Sequence, residues 1–300
     1  MGEVIRKQEG FKIGSRAFGK LAGEIKKNCY LPFSLISVFG TAFTCLLSYC
    51  YTDEKRTSYT VLQAFFSDEV PRETIPFLEV WKDGIGTWSF LLLPFLLSVG
   101  YLYVTASEQK SGSLRFSLIR EGNIRYCLTK TLSHMLCGGM FMVLGYLLYG
   151  LLCLPFFPLL SAFPAEEAAY HLGLLGIRSV PVFLAVRLFG VFFYGMFMNL
   201  FSYLVSVFFS DTYILLCLPM MLSYIYSSVL GALESRWMDS GKEKALERTQ
   251  LFHMENVFMA PAWKGRLCTA GIFLGAYILV FLLFVLRVRE WTINAEEMRG

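Results

Sequence analysis

The sequence predicts an all-α integral membrane protein with six transmembrane helices, both termini in the cytoplasm and an amphipathic N-terminal helix at the membrane surface. Three observations carry that expectation. Of the 300 residues 55% are apolar and only 17% charged, against a soluble norm of about 25% charged, which leaves too few polar side chains to cover a globule. The apolar residues gather in long runs, most of them near the roughly 20 residues that a bilayer core requires. Of the 27 lysines and arginines, 15 lie on the side that carries both termini and 12 are spread over the longer, more acidic loops of the other side, and retention of basic residues in the cytoplasm sets topology.

Taken in order, the first element is a cytoplasmic segment over residues 1–30. Phe11, Gly14, Phe18, Leu21 and Ile25 fall three and four apart on one helical face, and Lys12, Arg16 and Lys20 line another. A basic amphipathic helix of this kind lies in the headgroup layer, held by anionic lipid. Gly10, Gly14, Gly19 and Gly23 each weaken it by up to about 1 kcal/mol relative to alanine, so membrane or a partner is needed to form it. A disordered basic tail that only sets topology is the simpler alternative. Gly14, Gly19 and Lys20 also match the GxxxxGK core of a phosphate-binding loop. Leu21 stands where a hydroxyl must hold magnesium, and no buried strand precedes Gly14, so nucleotide hydrolysis by this chain is not expected. No apolar core followed by a small-residue cleavage site is visible, and the first apolar run is expected to act as an uncleaved anchor.

The six-helix domain is expected over 31–286, followed by a cytoplasmic tail over 287–300. Its spans run from about Leu31 to Tyr51, Trp88 to Ala106, Ile124 to Leu154, Val180 to Phe209, Tyr213 to Leu230 and Leu267 to Leu286. The outer loops then cover about 52–87, 155–180 and 231–266, and a cytoplasmic segment over 107–130 joins the second and third spans. Trp88, Trp237, Trp263 and Trp291 fall at or near span ends, as an interfacial aromatic belt requires. The net charge of +4 is too weak to imply a nucleic-acid partner. The eight cysteines include no CxxC pair, which is not a disulfide framework.

Polar and small residues inside the spans are candidates for function or packing. Arg187 interrupts the fourth apolar stretch, and a charge at bilayer depth suggests a pathway by default, unless it sits at the outer surface and snorkels. Asn199, near mid-span, is either a pathway residue or an interhelical hydrogen-bonding one. Gly271 and Gly275 form a GxxxG pair in the last span, a surface on which two helix backbones can approach closely, and intramolecular packing is the expected use. In the loop after Leu230, Leu246, Gln250, Leu251, Met254 and Phe258 are spaced to form a partly apolar lid.

The stretch SEQKSGSLRFSLIREGNIRYCLTK, Ser107 to Lys130, is the most informative. Ser113 is a plausible N-cap, Leu114 to Glu121 form an amphipathic turn or two, Gly122 ends them, and Asn123 can cap the next helix. A short helix would thus lie across the cytoplasmic end of a span and be joined by a tight turn to a long third helix. Such a foot can transmit force from a soluble partner, its apolar side docking in a groove while Arg115, Arg120 and Arg125 meet acidic residues. An ordinary loop with a membrane-surface helix remains open on the same residues.

The run of Glu108, Ser111, Gly112, Leu114, Arg115, Leu118, Ile119, Arg125 and Lys130 resembles the segment that the permease subunits of ABC-2 type ABC transporters carry between their second and third spans. The likeness covers about two dozen residues by motif and the whole chain by topology; the long outer loop over 52–87 departs from the commoner pattern. The resemblance implies a permease subunit of an ATP-driven exporter in the plasma membrane of a bacterium. Glu108, Gly112, Leu114, Arg115, Leu118, Ile119, Arg120, Gly122 and Arg125 would then couple it to separate ATPase subunits. It also implies pairing with a second permease copy, identical or similar, contact with membrane lipid, and no cofactor in this chain, ATP and magnesium residing on the partner.

Two other classes compete. Glu166, Glu167 and His171 superficially match the paired-glutamate motif of membrane-embedded CAAX-type proteases, but a metal-assisted hydrolase needs several ligands converging on an ion. The arginine expected at position 171 is replaced by His171, and neither His134 nor His253 falls in a matching histidine motif. No metal site is expected. A membrane scaffold or sensor, with neither ATPase nor pathway, is the third class.

Overall fold

Within the apolar runs the main-chain groups pair internally, as a lipid environment demands. The computed structural model describes residues 19–27, 29, 31–52, 56–86, 91–99, 108, 113–164, 166, 180–259 and 263–297. Helix α1 covers Gly19–Lys27 and α2 Leu31–Leu46. Strands β1 (Tyr49–Thr52) and β2 (Ser58–Thr60) follow, then α3 (Val61–Phe66), a 3-10 turn over Arg72–Thr74 and α4 (Phe77–Asp83). Residues 91–99 are helical, here α5. Next come α6 (Ser113–Glu121), α7 (Asn123–Cys153), α8 (Val180–Phe208), α9 (Thr212–Asp239), α10 (Glu243–Gln250), α11 (Asn256–Met259) and α12 (Trp263–Glu297).

Among the described residues, four helices are long and apolar enough to cross a membrane: α7, α8, α9 and α12. Counting α1 and α2 as one broken element, bent by 75° at their junction, makes five. The first expected span, Leu31 to Tyr51, ends as a helix at Leu46; Tyr49–Thr52 pairs with Ser58–Thr60 in an antiparallel hairpin instead. Tyr, Cys and Thr suit a half-buried strand, and the Tyr51 and Tyr59 rings approach to 6.2 Å across the pair. Of the second expected span, Trp88 to Ala106, residues 88–90 and 100–106 lie outside the described residues.

At the other end of the bundle the boundary between α6 and α7 falls at Gly122 itself. Its φ of 78° is a conformation that glycine adopts without steric cost, and Asn123, expected as a cap, is the first residue of α7. The fifth span, expected to stop near Leu230, continues as helix to Asp239. It begins where the Asp211 carboxylate accepts the Tyr213 and Ile214 N–H groups at 2.9 and 3.3 Å, a side-chain N-cap.

Helix α7 occupies the centre and packs against α2, α8 and α12. It runs antiparallel to α8: Thr131 lies beside Tyr203 and Tyr146 beside Arg187. Helix α12 runs with α8, since Phe273 stacks on Phe197, Tyr277 donates to the Met196 carbonyl at 2.5 Å, and Phe284 meets Tyr203 and Tyr126. Missing side chains allow α7 to be surrounded so closely. A Cβ on Gly145 would fall 2.5 Å from the Thr41 Cβ and 2.9 Å from the Val38 carbonyl, and one on Gly195 would fall 2.7 Å from the Gly138 carbonyl. Small residues at such contacts let helix backbones approach, the main source of packing energy where lipid is as apolar as the helices.

Gly271 and Gly275 lie in the opposite situation. Among the described residues, a Cβ at either would meet nothing within 4 Å, so no described part of the chain packs onto the GxxxG face of α12. Substitution follows from that difference. Gly145→Leu overpacks the α2–α7 contact and is expected to lower stability by about 1–3 kcal/mol, whereas Gly275→Ala leaves the melting temperature of the monomer in detergent unchanged or slightly raised. Thermal unfolding of the two variants checks this; equal destabilisation would mean that the α12 face is covered.

Candidate functional site

Two clusters of buried polar and charged residues lie at different levels of α7. Near its start is Lys130, whose side chain is only 5% exposed. An ammonium group at that burial is tolerable only if paired, and two carboxylates from separate parts of the chain meet it: Glu24 of α1 at 2.6 Å and Glu108 at 2.5 Å. Lys27, one turn on from Glu24, closes the square at 2.8 Å from Glu24 and 3.9 Å from Glu108. The Tyr126 ring, one turn back on α7, lies 5.8 Å from the Lys130 nitrogen. Burial pushes the Glu24 carboxyl upward, but the Lys130 and Lys27 ammonium groups outweigh it and hold the carboxyl below its ordinary range. A cleft of about 200 Å³ opens onto this node, its wall completed by Phe116, Ser117 and Arg120 of α6 and by Thr129. Helix α1, the approach to α6, and α7 therefore share one neutral cluster of charges.

The residues expected to couple to a partner fall around the node unequally. Glu108 is part of it. Leu118 is buried at 5% exposure and anchors α6 to the bundle, while its neighbours Phe116 and Ile119 are 78% and 81% exposed. Arg120 lines the cleft; Gly122 forms the turn. Arg125 is exposed and shares a second cleft with Arg289 of α12. Leu114 and Arg115 belong to α6 by their backbone, and their side chains lie outside the described residues, as do Ser111 and Gly112. Glu24 and Lys27 were not singled out for this cluster by their sequence. The available signal is that Glu24 is an acid inside a strongly basic segment.

One turn further along α7, His134 is fully buried and faces α8. Asn199 Nδ2 donates to the His134 carbonyl at 3.0 Å and sits 3.0 Å from its Nδ1. Thr131 and Tyr203 share a hydroxyl–hydroxyl hydrogen bond, and the His134 and Tyr203 rings are 5.0 Å apart. Asn199 thus ties two helices together across the middle of the bundle.

The second level lies 16 residues beyond Lys130, about 24 Å along the helix. Here Arg187 has a place that its sequence position alone does not reveal. The last carbonyls of a helix are short of main-chain donors, and at the end of α4, where Gly84 N–H reaches only Trp81 O at 3.4 Å, side chains of the bundle add theirs: Tyr149 OH donates to Val80 O at 2.7 Å, Tyr146 OH to Trp81 O, and the Arg187 guanidinium to Lys82 O. Trp81 returns a hydrogen bond from its indole N–H to the Tyr146 carbonyl at 3.3 Å, and its ring stacks 4.8 Å from that of Tyr146. The Arg187 charge also sits 6.0 Å from the Tyr146 ring centre. Burial raises the nearby Asp83 carboxyl, against the opposing pull of Lys82 and Arg187. Arg187 therefore clamps the hairpin-bearing cap onto α7 and α8.

Of the acidic pair considered for hydrolysis, Glu166 is exposed; Glu167 and His171 lie outside the described residues. Among the described residues no group of three or more His, Cys, Asp or Glu side chains is arranged to hold a metal ion.

No family model, curated protein or solved structure matches this chain.

Two outcomes follow from the two clusters. Because the Glu24 carboxyl is depressed by its partners, the node stabilises α1 above the ordinary carboxylate range and loses that contribution as pH falls through the depressed value. Hydrogen exchange of the α1 amides, corrected for intrinsic rates, should rise below about pH 4 in the native chain, and Lys130→Met should show that rise already at neutral pH. At the other level, Arg187→Gln leaves the Lys82 carbonyl short of a donor, a cost of about 1–3 kcal/mol. Limited proteolysis should then cut the 49–60 hairpin faster while α7 stays intact.

Proposed function

We propose that this chain is the permease subunit of an ATP-driven exporter of the ABC-2 type. It would cross the plasma membrane of a bacterium six times with both termini in the cytoplasm, pair with a second permease, identical or similar, and bind two separate ATPase subunits that carry ATP and magnesium. The chain itself would catalyse no reaction. One observation supports the reading best: Lys130, Glu24 and Glu108 meet in a single cluster that shares a cleft with Phe116, Ser117 and Arg120 of α6, whose Phe116 and Ile119 are exposed.

The mechanism follows from that placement. Leu118 fixes α6 to the bundle and the turn at Gly122 joins it to α7, so a push on α6 is delivered to the central helix rather than absorbed in a loop. The charge cluster links the same foot to α1. Closure of an ATPase pair beneath it would shift α6, α1 and the start of α7 as a unit and re-pack α7 against α8, a small helix movement of the kind that switches access in bistable assemblies. The basic residues of α1 and of the preceding segment would meet anionic lipid on the same side.

The test is made on Phe116→Asp and Ile119→Asp, both on the exposed side of α6. The full-length chain is purified from its native membranes and the ATP-binding-cassette subunit that accompanies it is measured, together with vanadate-sensitive ATP hydrolysis. Each variant is expected to lose the ATPase about tenfold or more while retaining its melting temperature. Unchanged retention and hydrolysis, or no such subunit with the native chain, would leave the scaffold or sensor reading in its place.

A further inference from the structure

Residues 251–259 connect α10 to the start of α12, and they do not hang free as a polar loop. Tyr226 of α9 donates to the Phe252 carbonyl at 2.5 Å, and Thr269 of α12 to the Leu251 carbonyl at 3.0 Å. Met254 and Val257 are buried in the main hydrophobic core at 1% and 7% exposure, and α11 lies against α8 and α12. The segment is a strap drawn across the bundle.

Its polar fastening is unusual. His253 stands between two carboxylates, with Nε2 3.0 Å from Glu234 of α9 and Nδ1 3.6 Å from Glu255 of the strap itself. All three side chains are partly buried, at 22%, 24% and 40% exposure. An ionised carboxylate only accepts, and a neutral imidazole has a single N–H. With both ring nitrogens turned to carboxylates, the neutral ring can serve one of them and must present a lone pair to the other. The arrangement is satisfied by one additional proton, either on the second ring nitrogen or on a carboxyl oxygen.

We propose that the 251–259 strap is latched by a proton: His253, held between Glu234 and Glu255, keeps the strap docked while the extra proton is bound and releases it when the proton leaves. The titratable groups turned to the strap are Glu234 and Tyr226 from α9, Tyr194 from α8, which senses Glu255 electrostatically, and His253 and Glu255 within it. α12 contributes the uncharged Thr269 hydroxyl. Burial raises the Glu255 carboxyl, with Glu234 adding to the rise and His253 opposing it. A group whose value is raised in the docked form binds its proton better there, so docking is favoured at low pH and weakens as pH rises through the raised value. Acid closes the strap and alkali opens it.

The test is hydrogen exchange of the 251–259 amides in the full-length chain in nanodiscs between pH 5.5 and 8, corrected for intrinsic rates, with α7 as internal reference. Native protein is expected to lose about tenfold or more in strap protection across that range, as linkage to one proton allows, with α7 unchanged. His253→Gln should flatten the profile, and Glu255→Gln, which is neutral at every pH, should keep the strap protected at pH 8. If His253→Gln also unfolds α7, Glu234→Gln replaces it, with the same flattened profile expected. A pH-independent strap in the native chain, or a substituted strap that keeps the native profile, overturns the proposal.

Discussion

A helix that carries a lysine near one end and two tyrosines near the other can occupy the centre of a membrane bundle only if its neighbours supply every hydrogen bond and countercharge it needs. That requirement on α7 organises the protein. Lys130 recruits Glu24 and Glu108, His134 is met by Asn199, Thr131 by Tyr203, and Tyr146 and Tyr149 reach the end of α4. Between these polar levels the glycines at 138, 139 and 145 remove side chains where α2 and α8 must come close. Close packing and the pairing of buried polar groups thus fall on the same helix.

The two polar levels differ in the atoms they use. Near Lys130 the partners are charged side chains from distant segments, so the association depends on protonation and can be opposed by a competing charge. Near Tyr149 the acceptors are main-chain carbonyls of a short helix. The first suits a joint that must respond to something outside the chain, and the second suits one that must stay closed while the rest moves. A rigid α7 about 24 Å long between the two levels would carry motion from one to the other with little loss, since its interior contacts are close-packed.

How much of this was legible in the sequence depends on the kind of information involved. The helix–glycine–helix joint around Gly122 could be read because it is local: an amphipathic turn, a glycine able to adopt positive φ and a long apolar run follow one another directly. Glu108 and Lys130 could both be singled out, but nothing in a separation of this size says that they touch, still less that Glu24 from the basic N-terminal segment joins them. Hydropathy marked where apolar chain begins and ends but not its conformation. It therefore carried the first helix on through Tyr49–Thr52, where strand-forming residues pair in a hairpin, and stopped the fifth at Leu230, where polar residues continue the helix to Asp239. Arg187 read as a charge in a span because the carbonyl it caps belongs to Lys82, 105 positions away. The GxxxG pair read as a packing surface because the pattern does not say which way a helix is turned, and on α12 it is turned away from the described residues of its own bundle.

The clamp on α4 has a consequence for how this protein can change over evolutionary time. Tyr149, Tyr146 and Arg187 grip the main chain of Val80, Trp81 and Lys82, and a main-chain carbonyl is the same whatever side chain accompanies it. Val80 is held in the core by its own side chain and Trp81 by its ring against Tyr146, but Lys82 is free to drift without loosening the grip. Substitutions would then accumulate at Lys82 and the exposed positions of this segment while the three gripping residues stay constant, leaving a variable exterior on an invariant mount.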